Sequence, residues 1–350
     1  MKTVNKNDMP LVSVIILNYN GKSDLIKCLD SLRKTDYPNL ETIVVDNGST
    51  DNSVSAVQQM FENVKVLSNE INYGYAKGNN IGIQNTHGEY VVLLNNDTFV
   101  HPNWLKQLVE AAEKLKEDCF LQPKILLADN PQIINSAGNM IHVAGFGFPR
   151  GAGERDMGQY EREAEVAYAS GACIFTSQRV IRKVGLLDER YFLQFEDLDW
   201  GWRGRMQGIT SRYIPKAVIY HKWGGTLGRF SEEKSYYLER NRVYTLLTNY
   251  SIRTLIILFP VIAVTEVLVL IYSLANKRLS AKIKSYSDLI RIRQDIIKRR
   301  HLIQKGREKP DKDVLSVFSD ILKHPHLKSP AIQVANVLFS RLWHVLHRYI

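Results

Sequence analysis

Three carboxylates crowd into four positions at Phe195-Glu196-Asp197-Leu198-Asp199-Trp200, with aromatic residues on either side. Like charges this close raise one another's pKa, and apolar neighbours push the same way, so the group is suited to taking a proton from a hydroxyl. The same residues suit the first turn of a helix, where acids meet the positive end of the dipole, and both readings stand. Another carboxylate, Asp97, closes Leu93-Leu94-Asn95-Asn96-Asp97, an apolar run passing straight into two amides and an acid. An aspartate so placed suits Mg²⁺ or Mn²⁺, hard cations that take oxygen donors and share them with substrate phosphates; its ordinary alternative is a turn or helix cap. His221, between Val218-Ile219-Tyr220 and Lys222-Trp223-Gly224-Gly225, is either structural or a nitrogen ligand joining Asp97 and two phosphate oxygens around that cation.

Such residues need strand ends to hold them. Residues 11–17, LVSVIIL, form a short, continuously apolar and β-branched run that reads as a buried strand, followed by the turn signal Asn18-Tyr19-Asn20-Gly21. Residues 23–33 carry Leu25, Ile26, Leu29 and Leu32 at helical spacing with Ser23 as N-cap, and a second strand, 41–45, runs into Asp46-Asn47-Gly48-Ser49-Thr50-Asp51. Further strands are predicted at 64–67 and 90–94, with helices at 77–84 and 104–116. The alternation predicts an α/β fold with a mostly parallel sheet. Ligands of such sheets bind beyond the carboxyl ends of the strands, where Asn18, Asp46, Asn72 and Asn95 to Asp97 stand. Residues 138–160 hold Gly138, Gly145, Gly147, Gly151, Gly153 and Gly158 and read either as a mobile loop over a site or as a plain surface connection. Residues 191–208 are dense in aromatic and acidic side chains, and 218–225 read as strand then turn.

A length of 350 residues with 45% apolar and 10% aromatic content excludes disorder, collagen and a disulfide scaffold. Cys28, Cys119 and Cys173 show no CxxC spacing and no neighbouring His pair, so they read as small buried apolar residues in a reducing cytoplasm. The formal charge of +10 is uneven: residues 277–310 hold 12 basic and 3 acidic side chains, whereas 1–276 are nearly balanced at 29 and 30. Cations beyond an apolar segment point to anionic lipid head groups and away from nucleic acid. The first ten residues are polar and lack the apolar region of a signal peptide, so the N-terminus is expected in the cytosol.

In order, Val12-Ser13-Val14-Ile15-Ile16-Leu17-Asn18-Tyr19-Asn20-Gly21, Val44-Val45-Asp46-Asn47-Gly48-Ser49-Thr50-Asp51, Asn72-Tyr73-Gly74-Tyr75-Ala76-Lys77-Gly78-Asn79-Asn80, Leu94-Asn95-Asn96-Asp97, Glu196-Asp197 and His221 resemble the motifs of glycosyltransferase family 2. These are inverting enzymes with a GT-A fold, and the likeness is strongest to the rhamnosyltransferase-like members that build bacterial surface polysaccharides. It spans roughly residues 10–250. The resemblance implies that Asp46 hydrogen-bonds the imide N–H of a uracil or thymine base and that Asn18 lies on the loop lining the nucleotide. It implies that 72–80, with Gly74, Lys77, Gly78 and Asn80, pack against the nucleotide-sugar, with Asn95 and Asn96 beside it. Asp97 matches the last carboxylate of the family's DXD metal motif, Asp197 the catalytic base and His221 a further metal ligand of some members. Asn95 stands where the motif's first aspartate would be, leaving one anionic ligand instead of two. Glu196 either orients the acceptor or sits on a helix start; Trp200 and Trp202 either stack on an acceptor sugar or, for at least one, belong to the core.

The implied activity is metal-dependent, inverting transfer of a sugar from a UDP- or dTDP-linked donor to a hydroxyl of a lipid-linked or growing glycan acceptor. Two other classes remain in view: a sugar-phosphate nucleotidyltransferase, which wants a Gly-rich basic loop where this chain has Asn18-Tyr19-Asn20-Gly21, and a catalytically inactive, membrane-bound glycan-binding protein. Residues 254–274 carry Glu266 as their one charge and, at 1.5 Å per residue, would make a helix about 30 Å long. Pro260 and Glu266 are awkward in a lone span, and Lys277, Arg278, Lys282 and Lys284 would hold its far end in the cytoplasm. The expectation is therefore helices lying in the cytoplasmic leaflet of the inner membrane, with a single span as the alternative. Residues 331–350, with Val334, Val337, Leu338, Leu342, Val345 and Leu346 near helical spacing, read as an interfacial helix or as one packing on its own protein or on a second subunit of a homo-oligomer. The expected organisation is a catalytic domain over 1–250, an apolar membrane-associated helix over 251–276 and a basic, amphipathic helical region over 277–350.

Overall fold

A computed structural model describes residues 9–222, 231–323 and 330–350. Strands β1 (Val12–Asn18), β2 (Leu40–Asp46), β3 (Val64–Ser68) and β4 (Tyr90–Asn95) run parallel in the spatial order β3-β2-β1-β4, with α1 (Lys22–Leu32), α2 (Ser53–Met60) and α3 (Gly74–Ile83) between them in the chain. Strand β1 lacks polar alternation because both its faces are covered: Val12, Val14 and Ile16 share a core with Leu25, Cys28 and Leu29 of α1, while Ile15 shares one with Ala76 and Ile83 of α3. The register pairs Asn18 with Asp46 and Leu17 with Asn95, so three strands end level and deliver their polar termini to one edge.

Helix α1 begins at Lys22 with Gly21 in the cap position, so Ser23 lies inside the first turn and caps nothing. The reason is steric: a Cβ at Gly21 would stand 2.2 Å from the Asn96 amide nitrogen, so the turn after β4 fixes where the helix starts. Strand β5 (Thr98–Val100) and the amphipathic α4 (Trp104–Leu115) lead to β6 (Cys119–Leu127), β7 (Ile134–Ser136) and a separate hairpin of β8 (Asn139–Ile141) and β9 (Gly147–Pro149). Residues 139–149 are thus a packed hairpin, with Ile141, Val143 and Ala144 fully buried, while 153–159 run largely exposed along the surface, as a plain connection would. Strand β10 (Ala164–Val166) edges the sheet, and β11 (Cys173–Ser177) runs antiparallel between β4 and β6. Helices α5 (Gln178–Val184) and α6 (Glu196–Met206) precede β12 (Thr210–His221), which is parallel to β6. The turn expected after it, 223–225, lies outside the described residues, as do residues 1–8 of the polar N-terminus. The three cysteines are buried and unbridged.

A helical layer follows: α7 (Glu232–Asn249), α8 (Ile252–Ile257), α9 (Phe259–Ala275), α10 (Leu279–Arg291), α11 (Arg293–Lys305), α12 (Asp311–Val314) and α13 (Pro330–Leu346). The apolar run 254–274 is broken at Leu258, with Pro260 in the first turn of α9, and among the described residues no helix is long and apolar enough to cross a membrane. Glu266 faces inward, where Arg242 and Lys282 pair with its two oxygens and the Tyr286 hydroxyl donates to it. The layer shares one core with the hairpin and α6: Ile141, Val143, Trp202, Tyr250, Leu258, Val261, Leu289 and Phe339. Phe339 packs edge-on against His142 at 5.0 Å, so α13 lies on its own protein, while Val334, Val337, Leu338 and Val345 face outward.

Candidate active site

The level strand ends meet in a lattice of side-chain amides and hydroxyls. Asn18 Nδ2 donates to Asp46 Oδ1 at 2.9 Å and to the hydroxyls of Ser53 and Ser49 at 3.0 and 3.2 Å, while its Oδ1 accepts from Asn96 Nδ2 at 2.8 Å. Asp46 also accepts from the Ser49 N–H at 2.8 Å. Asn47 donates to Asn72 Oδ1 at 3.2 Å and to the Gly74 carbonyl at 3.0 Å, and Asn72 Oδ1 accepts the Gly74 N–H at 2.9 Å. Asn18, fully buried and committed on both ends of its amide, holds Asp46 and Asn96 in place; it does not line a nucleotide pocket itself.

Beside this lattice, β5 pairs with β12 so that His221 lies opposite Thr98, one residue beyond Asp97, and the Lys222 N–H donates to the Asp97 carbonyl at 3.2 Å. His221 Nε2 comes to rest 3.2 Å from Asp97 Oδ1 without forming a hydrogen bond, and that buried carboxylate oxygen has no hydrogen-bond partner. Asn95 Nδ2 stands 3.5 Å from the same ring nitrogen. A carboxylate oxygen without a hydrogen bond, 3.2 Å from an imidazole nitrogen, would fit two ligands of a divalent cation shared with substrate phosphate. Among the described residues no third His, Cys, Asp or Glu joins them.

The acidic cluster divides. Asp199 is paired with Arg203, at 2.7 Å, and accepts a hydrogen bond from the Asn249 amide at 3.1 Å. Glu196 and Asp197 open α6, as the helix-start reading expects. Asp197 Oδ2 accepts the Gly171 N–H and Oδ1 its neighbour Leu198 N–H, both at 2.7 Å. Burial raises both carboxyls above their ordinary range; Asp197's charge pushes Glu196 well above it, and Glu196 Oε2 has no hydrogen-bond partner, whereas backbone N–H groups restrain the rise at Asp197. The Tyr75 hydroxyl donates to the Gly171 carbonyl at 2.6 Å. The next carbonyl, of Ala172, accepts the Asn95 N–H at 3.1 Å, so two adjacent residues connect Asp197 to the strand end that presents Asp97.

Several expected contacts are placed otherwise. Trp200 donates to the Gly185 carbonyl at 2.8 Å and packs on Phe120, and Trp202 sits edge-on against Tyr250 and Phe318; both are core residues, because α6 buries the faces that carry them, and neither is open to an acceptor sugar. Asn80 spends its amide on the backbone of Leu187, at 2.9 and 3.1 Å, tying α3 to the segment before α6 instead of touching a donor. Gly74, with φ at +77°, allows a close approach, but to the Phe192 carbonyl, 2.4 Å from where a Cβ would be; Gly78 does the same for Leu17 and Asn47. Lys77 Nζ lies over the Tyr73 ring at 4.0 Å. Asn47 and Gly171 belong to the site and were not singled out; Asn47 stands in the quoted strand-end motif, whereas Gly171 had no signal beyond its place in a Ser-Gly-Ala turn. A cavity of about 750 Å³ opens at the opposite ends of β4, β6 and β11, lined by Glu89, Tyr90, Cys119, Ser177 and Arg179, and none of the residues above reaches it.

Residues 13–185 match glycosyl transferase family 2. The chain is 28% identical over 242 residues to an N-acetylglucosaminyl-diphospho-decaprenol L-rhamnosyltransferase of Mycobacterium tuberculosis, covering 63% of this chain and 78% of that one. Among solved structures, GalNAc-T7 with UDP, GalNAc and Mn²⁺ superposes with a TM-score of 0.57 at 16% identity, over 71% of this chain and 49% of that one. The mannosyltransferase PcManGT from Pyrobaculum calidifontis, in complex with GDP-Man and Mn²⁺, gives 0.51 at 15%, over 97% and 89%. At such identities the likeness is one of fold, an α/β GT-A architecture with a mostly parallel central sheet.

Proposed function

We propose, from the match of residues 13–185 to glycosyl transferase family 2, that the chain moves a sugar, with inversion, from a UDP- or dTDP-linked donor to a hydroxyl of a lipid-linked or growing glycan in cell-surface polysaccharide synthesis. The observation that carries this reading is the two-residue connection from Asp197 through Gly171 and Ala172 to Asn95, which ties an acid pair to the strand end bearing Asp97.

Of that pair, burial and its neighbour's charge raise the proton affinity of Glu196 the further, and Asp197, held by two backbone N–H groups, is the carboxyl to which we give the role of base. Asp197 takes the proton of the acceptor hydroxyl as its oxygen bonds to the anomeric carbon, and the bond from that carbon to the diphosphate breaks on the opposite face, inverting the centre. The Gly171 and Leu198 N–H groups hold the carboxylate through this step. Asp46, oriented by Asn18 and Ser49, receives the imide N–H of the base. Asp97 and His221 would hold a Mg²⁺ or Mn²⁺ ion, which supplies neutralising charge to the leaving diphosphate.

We place the enzyme on the cytoplasmic face of the membrane. Outward side chains Ile252, Ile256 and Phe259, with Val267, Ile271 and Leu274 farther along, form an apolar face bordered by the basic segment 277–310. That arrangement suits helices lying in an anionic leaflet. Fewer cations face lipid than the sequence count suggests, since Lys282, Arg299 and Arg307 pair with Glu239, Asp188 and Asp311.

The test is release of nucleoside diphosphate from UDP- and dTDP-sugars with and without Mn²⁺. Turnover that vanishes in Asp197→Asn with nucleotide binding kept is the expected result; an inert wild-type chain that still binds glycan favours the binding-protein alternative. Flotation of the full chain with anionic vesicles, and not with zwitterionic ones, checks the membrane assignment.

A further inference from the structure

The loop that delivers Glu196 and Asp197 has an uncommon backbone. Phe192, Gln194 and Phe195 have φ of +59°, +70° and +76°, a left-handed region that side chains with a Cβ rarely adopt, and the next two residues are the acid pair. These dihedrals turn the carbonyls of Tyr191, Leu193 and Gln194 toward one point under the loop. Asn241, in the middle of α7 and 1% exposed, fills that point: its Nδ2 donates to the three carbonyls at 3.1, 2.9 and 2.7 Å. Two N–H protons serve three acceptors; the Tyr191 carbonyl also accepts the Leu193 N–H at 2.6 Å, so the carbonyls of Leu193 and Gln194 depend on the amide most.

The asparagine is itself held. Arg240 donates to its Oδ1 at 2.9 Å, which fixes the amide with its nitrogen toward the loop. One turn further along α7, Thr245 hydrogen-bonds the Tyr191 hydroxyl at 2.8 Å. From the other side of the loop, the Phe192 carbonyl accepts the Tyr75 N–H at 2.6 Å, so the loop is stretched between α3 and α7.

We propose that Asn241 is a positioning residue for the base: it holds residues 191–195 in the left-handed form that sets Asp197 against the Gly171 N–H, and it does so without touching substrate. The inference rests on Asp197 being the base. Nothing else in the molecule supplies those three carbonyls with a side-chain donor among the described residues.

The experiment compares steady-state kinetics of the full chain with those of Asn241→Ala, Asn241→Ser and Asn241→Ala/Gln194→Gly, each checked for folding by thermal melting. Asn241→Ala is expected to lower kcat about 100-fold, the scale of a small misplacement of a reacting group, with donor KM and nucleoside diphosphate affinity unchanged. The acid limb of its kcat profile should shift, because a loosened Asp197 exchanges the Gly171 N–H for water beside Glu196, Tyr75 and Tyr168. Gln194→Gly, which adopts a positive φ without a Cβ clash, should return part of the lost kcat. Asn241→Ser keeps one donor and should fall between, and it decides the matter if the alanine variant does not fold. A folded Asn241→Ala or Asn241→Ser with unaltered kcat and pH profile overturns the proposal, provided Asp197→Asn is inactive. If Asp197→Asn turns over normally, the base assignment fails first.

Discussion

The two walls of the candidate cleft use polar side chains in opposite ways. On the strand-end wall, Asn18, Asp46, Asn47, Asn72 and Asn96 hydrogen-bond to one another and to the neighbouring Ser49, Ser53 and Gly74, so the wall is tied together from within. On the α6 wall, Glu196 is buried with one oxygen left without a donor and Asp197 is held by backbone N–H groups alone, and burial raises the proton affinity of both. The contrast separates support from chemistry. Among the described residues, the only buried carboxylate oxygens left without a hydrogen bond are Asp97 Oδ1 and Glu196 Oε2, one on each wall. A satisfied amide in a cleft is scaffold; an unsatisfied acid beside it is where a substrate, a cation or a proton is expected.

Each wall can be broken separately. Asp197→Asn keeps the shape of the α6 wall and removes its base, so transfer should fall by roughly 10²–10⁴-fold while nucleotide titration is unchanged. Asp97→Ala opens the orphaned corner of the other wall. Nucleotide affinity measured with Mn²⁺ should drop by at least the roughly 10–100-fold that losing even an outer partner of a metal costs, with little change in metal-free titrations. Asn18→Ala should act on stability more than on chemistry, lowering denaturant stability by about 1–3 kcal/mol because Asp46 and Asn96 lose a buried partner.

The smallest effect is a difference in the sign of pH dependence. Glu266, buried against Arg242, Tyr286 and Lys282, is held down to about 2, so its contribution to stability is whole above the ordinary carboxylate range and is lost as pH falls toward 2. Glu196 and Asp197 bind protons more tightly folded than unfolded. Their contribution is therefore whole in acid and declines as pH rises from the ordinary carboxylate range through their raised values. Melting curves of Glu266→Gln and Glu196→Gln against pH should flatten opposite limbs.

The strand-end wall was largely legible in the sequence and the α6 wall only half so. Runs such as 12–17 and 90–94 are buried on both faces, and their polar termini follow immediately, so periodicity placed Asp46 at its strand end and Asp97 two residues beyond its own. Strands β6 and β11 escaped notice because Gln122, Lys124 and Thr176 interrupt the apolar pattern; each is buried through a specific partner, Ser136, Asp156 and the Cys119 carbonyl. For Trp200 and Trp202 the sequence favours a core role for at least one but does not show which, since composition does not say which side of a helix is covered; both are buried. The helix break at Leu258 and the inward turn of Glu266 depend on Arg242 and Lys282, 24 and 16 positions away in the chain. Asn241 reads as an ordinary polar residue, because its three acceptors lie about 50 residues upstream.

The last turn of α7 is plugged from outside: Arg300 donates to the carbonyls of Leu247 and Tyr250, Gln304 to those of Thr248 and Asn249, and Arg307 to that of Asn249. Positive side chains at the negative end of a helix anchor it there. The basic tail is therefore no detachable anchor. A nonsense codon upstream of position 300, or a chimaera that swaps the tail for a foreign lipid-binding module, would unplug α7 and slacken the acid pair at the far end of the same lever, whatever it did to lipid adhesion.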